Sequence, residues 1–408
     1  MKCRHCHTPL TLPLIDLATS PPSNAYLRAD QLNAPERWYP LRVLVCEHCW
    51  LVQTEDFTQA DALFDADYAY FSSFSDAWLA HARRYVTDMV ARFGLGAAHR
   101  VVEVAANDGY LLQYVKAAGI PCYGIEPTAS TAAAARAKGI DIVERFFGVA
   151  LADELAAQGR QADLIAANNV LAHVPDINDF VAGFARLLTP TGVATFEFPH
   201  LLNLLEQCQF DTIYHEHFSY LSLTAVSQIF AAHGLQVFDV EEWPTHGGSL
   251  RVFAQRAGGP QPVAPAVAAL LTRETRAGLS LSDTYRDFQV RAETIKNAFV
   301  RFLLDCRAHG QRVAAYGAAA KGNTLINFAG VRADLLAYVV DRNPAKRGKF
   351  LPGSRIPIVA PEHLLADKPA WVVILPWNLR EEVMTQMAEV RSWGGRFVTA
   401  IPQLQVWP

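Results

Sequence analysis

Val102, Glu103, Val104, Ala105, Ala106, Asn107, Asp108, Gly109, Tyr110 is the run of residues that decides how this chain folds. A β-branched strand carries an acid near its end, a small polar turn follows, and a helical stretch then runs over Tyr110 to Ala118. A second short strand, Cys122 to Ile125, leads to Glu126, about where an open α/β sheet places a carboxylate to accept the hydroxyl protons of a ribose. The same alternation continues through Ala129 to Lys138, Ala162 to Ala167, Phe180 to Leu188 and Gly192 to Phe198. Strands alternating with helices at this spacing predict a parallel sheet wrapped by helices. Ahead of it, Trp78, Leu79, Ala82, Tyr85, Val86, Met89, Val90 and Phe93 recur at helical spacing over Asp76 to Phe93, and Gly94 supplies the stop.

The turn says what kind of nucleotide this sheet accepts. Only Gly109 remains of a glycine-rich loop, and Ala105 stands where a second glycine is usual, so a pyrophosphate would meet Cβ atoms where it needs bare backbone. Such a loop suits an adenosine without phosphates, of which S-adenosylmethionine is the expected case; the alternative is an acid-ended strand and turn of any doubly wound fold.

Gly258, Gly259, Pro260, Pro262 and Pro265 form a linker behind this unit. One long helix is expected next, Ser282 to Ala308, with Phe288, Ala292, Ile295, Phe299, Phe302 and Cys306 on its buried face. A second α/β rhythm follows: Arg312 to Tyr316, a helix near Ala319 to Phe328, Leu335 to Asp341, Trp371 to Pro376, a helix over Glu381 to Val390, and Arg396 to Ile401. Its first turn, Tyr316 to Thr324 (YGAAAKGNT), echoes a P-loop only superficially, because Asn323 stands where the lysine belongs. A Rossmann-like half fits better, with Lys321 and the helix start available to an anionic group, and a purely structural α/β domain is the alternative for this segment. The expected layout is a small zinc-binding module over 1–66, a doubly wound α/β domain resembling the class I methyltransferases and binding S-adenosylmethionine over 67–258, a linker and helix over 259–308, and a Rossmann-like nucleotide-sugar-binding unit over 309–408.

Length and composition agree with several packed units. The chain has 408 residues, 51% of them hydrophobic and 19% charged, enough apolar material for cores and too little charge for disorder. A formal net charge of −4 offers no global positive field for nucleic acid or anionic membrane. The longest apolar runs, such as Ala370 to Trp377, fall well short of a membrane helix, and the N-terminus has no signal-peptide core, so a cytoplasmic protein is expected.

Four of the seven cysteines fall in two CxxC pairs, Cys3/Cys6 and Cys46/Cys49. Two such turns complete the tetrahedral sulfur shell that Zn2+ prefers, and the long intervening loop adds little closure entropy. No coordination position stays open, so this zinc is expected to be structural. His5, His7 and His48 read as exposed neighbours, and the segment Leu12 to Pro40 as a loop-rich insertion.

Chemistry is expected from Asp211 to Tyr220 (DTIYHEHFSY), where Tyr214, His215, Glu216, His217 and Tyr220 crowd acid, base and phenol together as proton transfer needs. The HxH spacing also admits a metal if the run is a strand. Asn168, Asn169 and His173 follow a sheet strand, where ligands of open sheets collect, and Tyr68 and Tyr70 add phenols upstream. Isolated histidines such as His81 and His233 read as surface or packing residues.

Taken together, the four cysteines, Glu103 to Tyr110, Asn168 to Pro175 (NNVLAHVP), Tyr214 to Tyr220 (YHEHFSY), Thr245 to Arg251 (THGGSLR) and Tyr316 to Thr324 resemble the zinc-containing sugar C-methyltransferases of deoxysugar biosynthesis. The likeness spans nearly the whole chain in the same motif order. It implies a C-terminal unit closing over a nucleotide-linked 4-ketosugar, expected to be dTDP-linked, in a monomer or small homo-oligomer. By this resemblance His217 is the base, and Tyr214, Glu216, Tyr68, Asn169 and His173 line the sugar. Glu103, Asn107, Gly109, Tyr110, Glu126 and Asn168 serve the cofactor, and His246, Arg251, Tyr316, Lys321 and Asn323 the substrate. Carbon–carbon bond formation at C3 needs an enolate, hence a base and a hydrogen-bond donor for O4. An O- or N-methyltransferase, or a nucleotide-sugar-binding protein without catalysis, are the alternatives to this reading.

Overall fold

The structure, a computed structural model, describes residues 1–57 and 71–408. Tyr68 and Tyr70 lie outside the described residues. The N-terminal part begins with β1 (Leu12–Ser20), β2 (Tyr39–Val45) and β3 (Val52–Thr54), paired antiparallel in that order. The strand β1 corrects the expectation of a loop over Leu12 to Pro40. Its pairing register shifts between Pro13 and Ile15 and again between Asp16 and Thr19, with Ala18 at φ 61°. These irregularities break the alternation by which a strand is read from sequence.

The helix Asp76–Phe93 forms where expected: the Ser75 side chain accepts from Trp78 N, Gly94 closes it at φ 61°, and Trp78, Ala82, Tyr85, Val86 and Met89 are buried. It packs on a sheet containing β4 (Val101–Val104), β5 (Cys122–Ile125), β6 (Asp141–Val143), β7 (Ala162–Asn168) and β8 (Leu188–Pro199). Between these and the remaining strands of that sheet comes β9 (Ser219–Tyr220), which leaves it altogether. It pairs with β3, Val52 opposite Tyr220 and Gln53 opposite Ser219, and completes a four-stranded sheet β1-β2-β3-β9. With β10 (Leu235–Trp243) and β11 (Ser249–Arg256) the large sheet has seven strands in the order β10-β11-β8-β7-β4-β5-β6. Its β8, β7, β4, β5 and β6 run parallel, while β10 and β11 pair antiparallel with each other and β11 with β8. This is the doubly wound class I methyltransferase sheet.

The expected helix Ser282 to Ala308 is divided at Asp287 into Asp283–Arg286 and Phe288–Ala308. Leu303 takes the buried position assigned to Phe302, which is only partly covered. Beyond it, β12 (Val313–Tyr316), β13 (Val339–Val340), β14 (Ile358–Val359), β15 (Trp371–Ile374), β16 (Arg396–Thr399) and β17 (Gln405–Trp407) form a sheet ordered β14-β13-β12-β15-β16-β17. The expected strand Leu335 to Asp341 shrinks to its last apolar pair before Asp341. The cores cross these units: Cys46, Cys49 and Leu51 share a buried cluster with Val102 and Phe196, and Leu14 and Val43 share another with Phe299 and Val339. Among the described residues no helix is long and apolar enough to cross a membrane.

Candidate active site

The turn after β4 carries Ala105, Asn107 and Gly109 at φ 59°, 48° and 74°. At Gly109 the positive φ favours glycine, and a Cβ would press on the Ile140 side chain. The turn is tied down from two sides. Glu126 accepts from Asn107 N and Thr128 N, each at 2.9 Å, and Lys138 Nζ donates to Asp108 O at 2.6 Å and to Ser73 Oγ at 2.8 Å. Burial pushes Glu126 above the ordinary carboxylate range, while its hydrogen bonds from Thr128 and Asn107 pull it back.

Around this turn the unsatisfied atoms are acceptors. Asp108 Oδ1, Asn168 Oδ1 and Asn169 Oδ1 are buried with no hydrogen-bond partner, and the carboxyl of Glu103 is buried beside Tyr110. Burial holds Glu103 well above its usual value, with Tyr110 acting against it. A buried polar atom left unpaired is costly, so the set fits a ligand rich in donors and positive charge. The ribose hydroxyls, adenine amine, ammonium and sulfonium of S-adenosylmethionine meet that description, and a pyrophosphate does not.

Tyr214 to His217 is a turn, closed by His217 N donating to Tyr214 O at 2.9 Å, and not a strand. Its side chains therefore diverge. His215 Nε2 bonds Pro40 O at 3.1 Å and its ring lies against Tyr39. Glu216 accepts from Asn24 Nδ2 at 2.7 and 3.0 Å, and burial pushes it up to about 7. His217 points the other way, its ring 4.0 Å from that of Tyr214 and 4.7 Å from that of His173. Because a backbone carbonyl only accepts, His217 Nδ1 must donate to Thr212 O at 2.9 Å, and His173 Nδ1 to Glu216 O at 2.9 Å. In both rings the lone pair is thereby on Nε2. Burial, then the neighbouring His173, hold His217 well below its ordinary value, and burial lowers His173 to about 4. Both are neutral bases at neutral pH.

Asn169 and His246 meet nearby, Asn169 Nδ2 to His246 Nε2 at 3.0 Å. Lys321 Nζ donates to Asn378 Oδ1 at 2.7 Å and lies over the Trp377 ring at 4.8 Å; Trp377 Nε1 donates to Asp211 Oδ2 at 2.8 Å. Burial raises Asp211 to about 6 and lowers Lys321, each opposed by the other's charge.

Other expected substrate contacts are engaged within the protein. Arg251 is buried and ion-paired with Glu197 at 2.8 Å. Asn323 is fully buried, its Nδ2 donating to Ser23 O at 2.6 Å, and Tyr316 OH donates to Gln386 Oε1 at 3.0 Å. Conversely His81, read from sequence as a surface or packing residue, bonds Glu197 at 2.9 Å and stacks on Trp78. No local motif marks it; only its place on the buried helix face over β8 could have done so.

The thiol sulfurs of Cys3, Cys6, Cys46 and Cys49 lie within 4.8 Å of one another, with Cys3–Cys49 and Cys6–Cys46 at 3.5 Å. A tetrahedral zinc with Zn–S near 2.3 Å needs edges of about 3.8 Å, so the ion fits. Both turns are built alike: His7 N and Trp50 N return to Cys3 O and Cys46 O, each with φ near 60°. Of the neighbouring histidines, His7 and His48 are exposed, whereas His5 is half-buried and bonds Asn178 Oδ1 at 2.8 Å. Among the described residues this is the one group of side chains close enough to hold a metal, which leaves the HxH pair without that role.

A doubly wound sheet with a donor-seeking nucleoside turn and a four-cysteine zinc module together define a zinc-containing methyltransferase that uses S-adenosylmethionine. Residues 3–64 match the family model of a zinc binding domain, 78–240 that of a methyltransferase domain, and 244–402 that of a C-methyltransferase C-terminal domain. The chain is 35% identical over 405 residues to C-methyltransferase NovU of Streptomyces niveus, covering 99% of this chain and 96% of that protein. It belongs to the S-adenosylmethionine-dependent C-methyltransferase family. Solved structures similar to it include magnesium protoporphyrin IX methyltransferase of Synechocystis PCC 6803, at 16% identity and TM-score 0.34 over 44% of this chain and 79% of that one. Another is an S-adenosylmethionine-dependent methyltransferase of Clostridium acetobutylicum, at 11% identity and TM-score 0.35 over 43% and 91%.

Proposed function

We propose that this C-methyltransferase acts at C3 of a nucleotide-linked 4-keto-deoxysugar, through an enolate, with His217 as the base. The observation that carries this reading is the fixed tautomer of His217, whose Nδ1–H is committed to Thr212 O while burial keeps the ring neutral. Its Nε2 lone pair is then available beside Tyr214 and His173, in the part of the chain that also brings up Asn169 and His246. A proton leaves C3 for Nε2, and the electron pair it leaves behind is shared with O4. Bound S-adenosylmethionine supplies an electrophilic sulfonium methyl. Residues 309–408 are the nucleotide-binding unit in this reading, with a dTDP-linked sugar the expected form. Incubating the enzyme with a 4-ketosugar nucleotide in D2O, without cofactor, should place deuterium at C3, and adding cofactor should give one methyl on carbon. Absence of exchange, with the methyl on oxygen, would replace this reading by O-methylation.

Glu126 is assigned to the ribose. Glu126→Ala removes the charged acceptor and the clamp on Asn107, and each lost bond to a charged acceptor is worth about 1.5 to 3 kcal/mol. Calorimetry should show S-adenosylmethionine binding weakened roughly tenfold to a hundredfold or more. Unchanged affinity would place the ribose elsewhere.

Glu216 makes the pH dependence of stability testable. Its folded value of about 7 stands above the unfolded value near 4.3, so its contribution is fully present below about 4.3 and is lost as pH rises through about 7. Glu216→Gln does not titrate and should flatten the dependence of Tm on pH across that window. Superimposable wild-type and variant profiles would mean that Glu216 is not the group responsible.

A further inference from the structure

Glu197, near the end of β8, has a carboxylate with no solvent exposure, and no sequence signal points to it. It accepts from His81 Nε2 at 2.9 Å, Arg251 Nη2 at 2.8 Å and Thr245 Oγ1 at 3.0 Å, and its backbone carbonyl accepts from Asn169 N at 2.7 Å. The last two contacts matter most. Asn169 stands at φ 52° and His246, next to Thr245, at φ 56°, so two non-glycine residues occupy the left-handed region. Such residues persist only where their surroundings over-determine them. Here one residue holds both, Asn169 through its carbonyl and the His246 turn through its carboxylate, and the two side chains meet at 3.0 Å. On the other side of the turn a Cβ at Gly247 would strike Trp377.

The carboxylate is itself fixed. Arg251 lies between the rings of Tyr85 and Trp243 at 4.9 and 4.6 Å and also reaches Glu241 at 3.2 Å. His81 stacks on Trp78 at 4.9 Å, and Trp78 in turn meets the His246 ring at 5.2 Å. Burial pushes Glu197 up, but the hydrogen bond from His81 and the charge of Arg251 outweigh it and keep the group below its usual value.

We propose that Glu197 is the positioning residue that sets the Asn169–His246 pair as the hydrogen-bond donor to the acceptor's ketone oxygen. The proposal rests on the enolate reading given above. Asn169 Nδ2 donates to His246 Nε2, so the imidazole proton is on Nδ1, and no acceptor among the described residues takes it. Burial lowers His246 to about 4, which keeps it a neutral donor. As the carbon proton passes to His217, negative charge grows on the ketone oxygen, and donors already in place stabilise it without reorganising.

Thr245→Val removes only the hydroxyl that ties the His246 turn to Glu197, at a half-buried site that tolerates the change; Thr245→Ser retains it. In the full-length, zinc-loaded enzyme, Thr245→Val should lower kcat and C3 deuterium exchange in parallel, by about tenfold. The ketosugar KM, the S-adenosylmethionine affinity by calorimetry and the Tm should stay near wild type, and Thr245→Ser should restore turnover. Wild-type kcat in Thr245→Val, or a fall in Tm and cofactor affinity that accounts for the lost turnover, would overturn the positioning role while leaving the enolate reading intact. If the wild-type enzyme itself shows no exchange at C3, the enolate reading falls, and the positioning role with it.

Discussion

Replacing His217 by Asn should leave the fold and both ligand affinities in place and lower turnover by roughly 100-fold or more, the scale of a lost general base. The Asn amide can still donate to Thr212 O as Nδ1 does, so the turn keeps its anchor, while nothing replaces the Nε2 lone pair. Solvent exchange at C3 should fall with turnover. His215→Asn is the control, because His215 faces Pro40 and Tyr39 and should affect stability more than rate. If His215→Asn abolishes exchange and His217→Asn does not, the base role passes to His215. The pH profile adds a second check: His217 is held well below its ordinary value, so kcat/KM should not fall at the usual imidazole value near 6.5 but further into acid.

Removing the zinc should cost several kcal/mol of stability, because metal binding energy in such a module is folding energy. The loss should reach the active site, for the contacts run straight to it. Gln53 Nε2 donates to Cys3 Sγ at 3.3 Å, and the next residue, Thr54, donates through Oγ1 to His217 O at 2.9 Å and through N to Phe218 O at 3.2 Å. Cys46→Ser, or a strong chelator, should therefore lower the denaturant midpoint and turnover together, in step with zinc content. A zinc-free protein that melts and turns over like wild type would show that the ion holds neither the module nor the base.

The parts legible in sequence were those written in local pattern. The β4 turn, Glu126, the helix over Asp76–Phe93 and the paired cysteines each carry their signal within a few residues. Strand β1 was hidden by its bulges, and β13 by having only two residues. The chemistry-bearing run was visible in composition, but its conformation was not: as a strand it would have set His215 beside His217, and the turn separates them. Glu197 and His81 were out of reach for a different reason. An acid in an apolar strand and a histidine on an amphipathic helix gain meaning only once the fold brings them to 2.9 Å, together with an arginine from β11.

The pairing of β3 with β9 bears on how the chain is made. Val52 leaves a ribosome long before Tyr220, and domains generally fold N-terminal first during synthesis. Until its late partner emerges, the nascent zinc module must present the edge of Val52–Thr54 unpaired, which invites association with other chains. The same arrangement forbids cutting the protein into freestanding modules: a fragment ending near residue 57 would lack a strand, and one starting near residue 71 would carry that strand with nothing to receive it. The zinc module and the methyltransferase unit are thus joined through one shared sheet, not merely through the chain that links them.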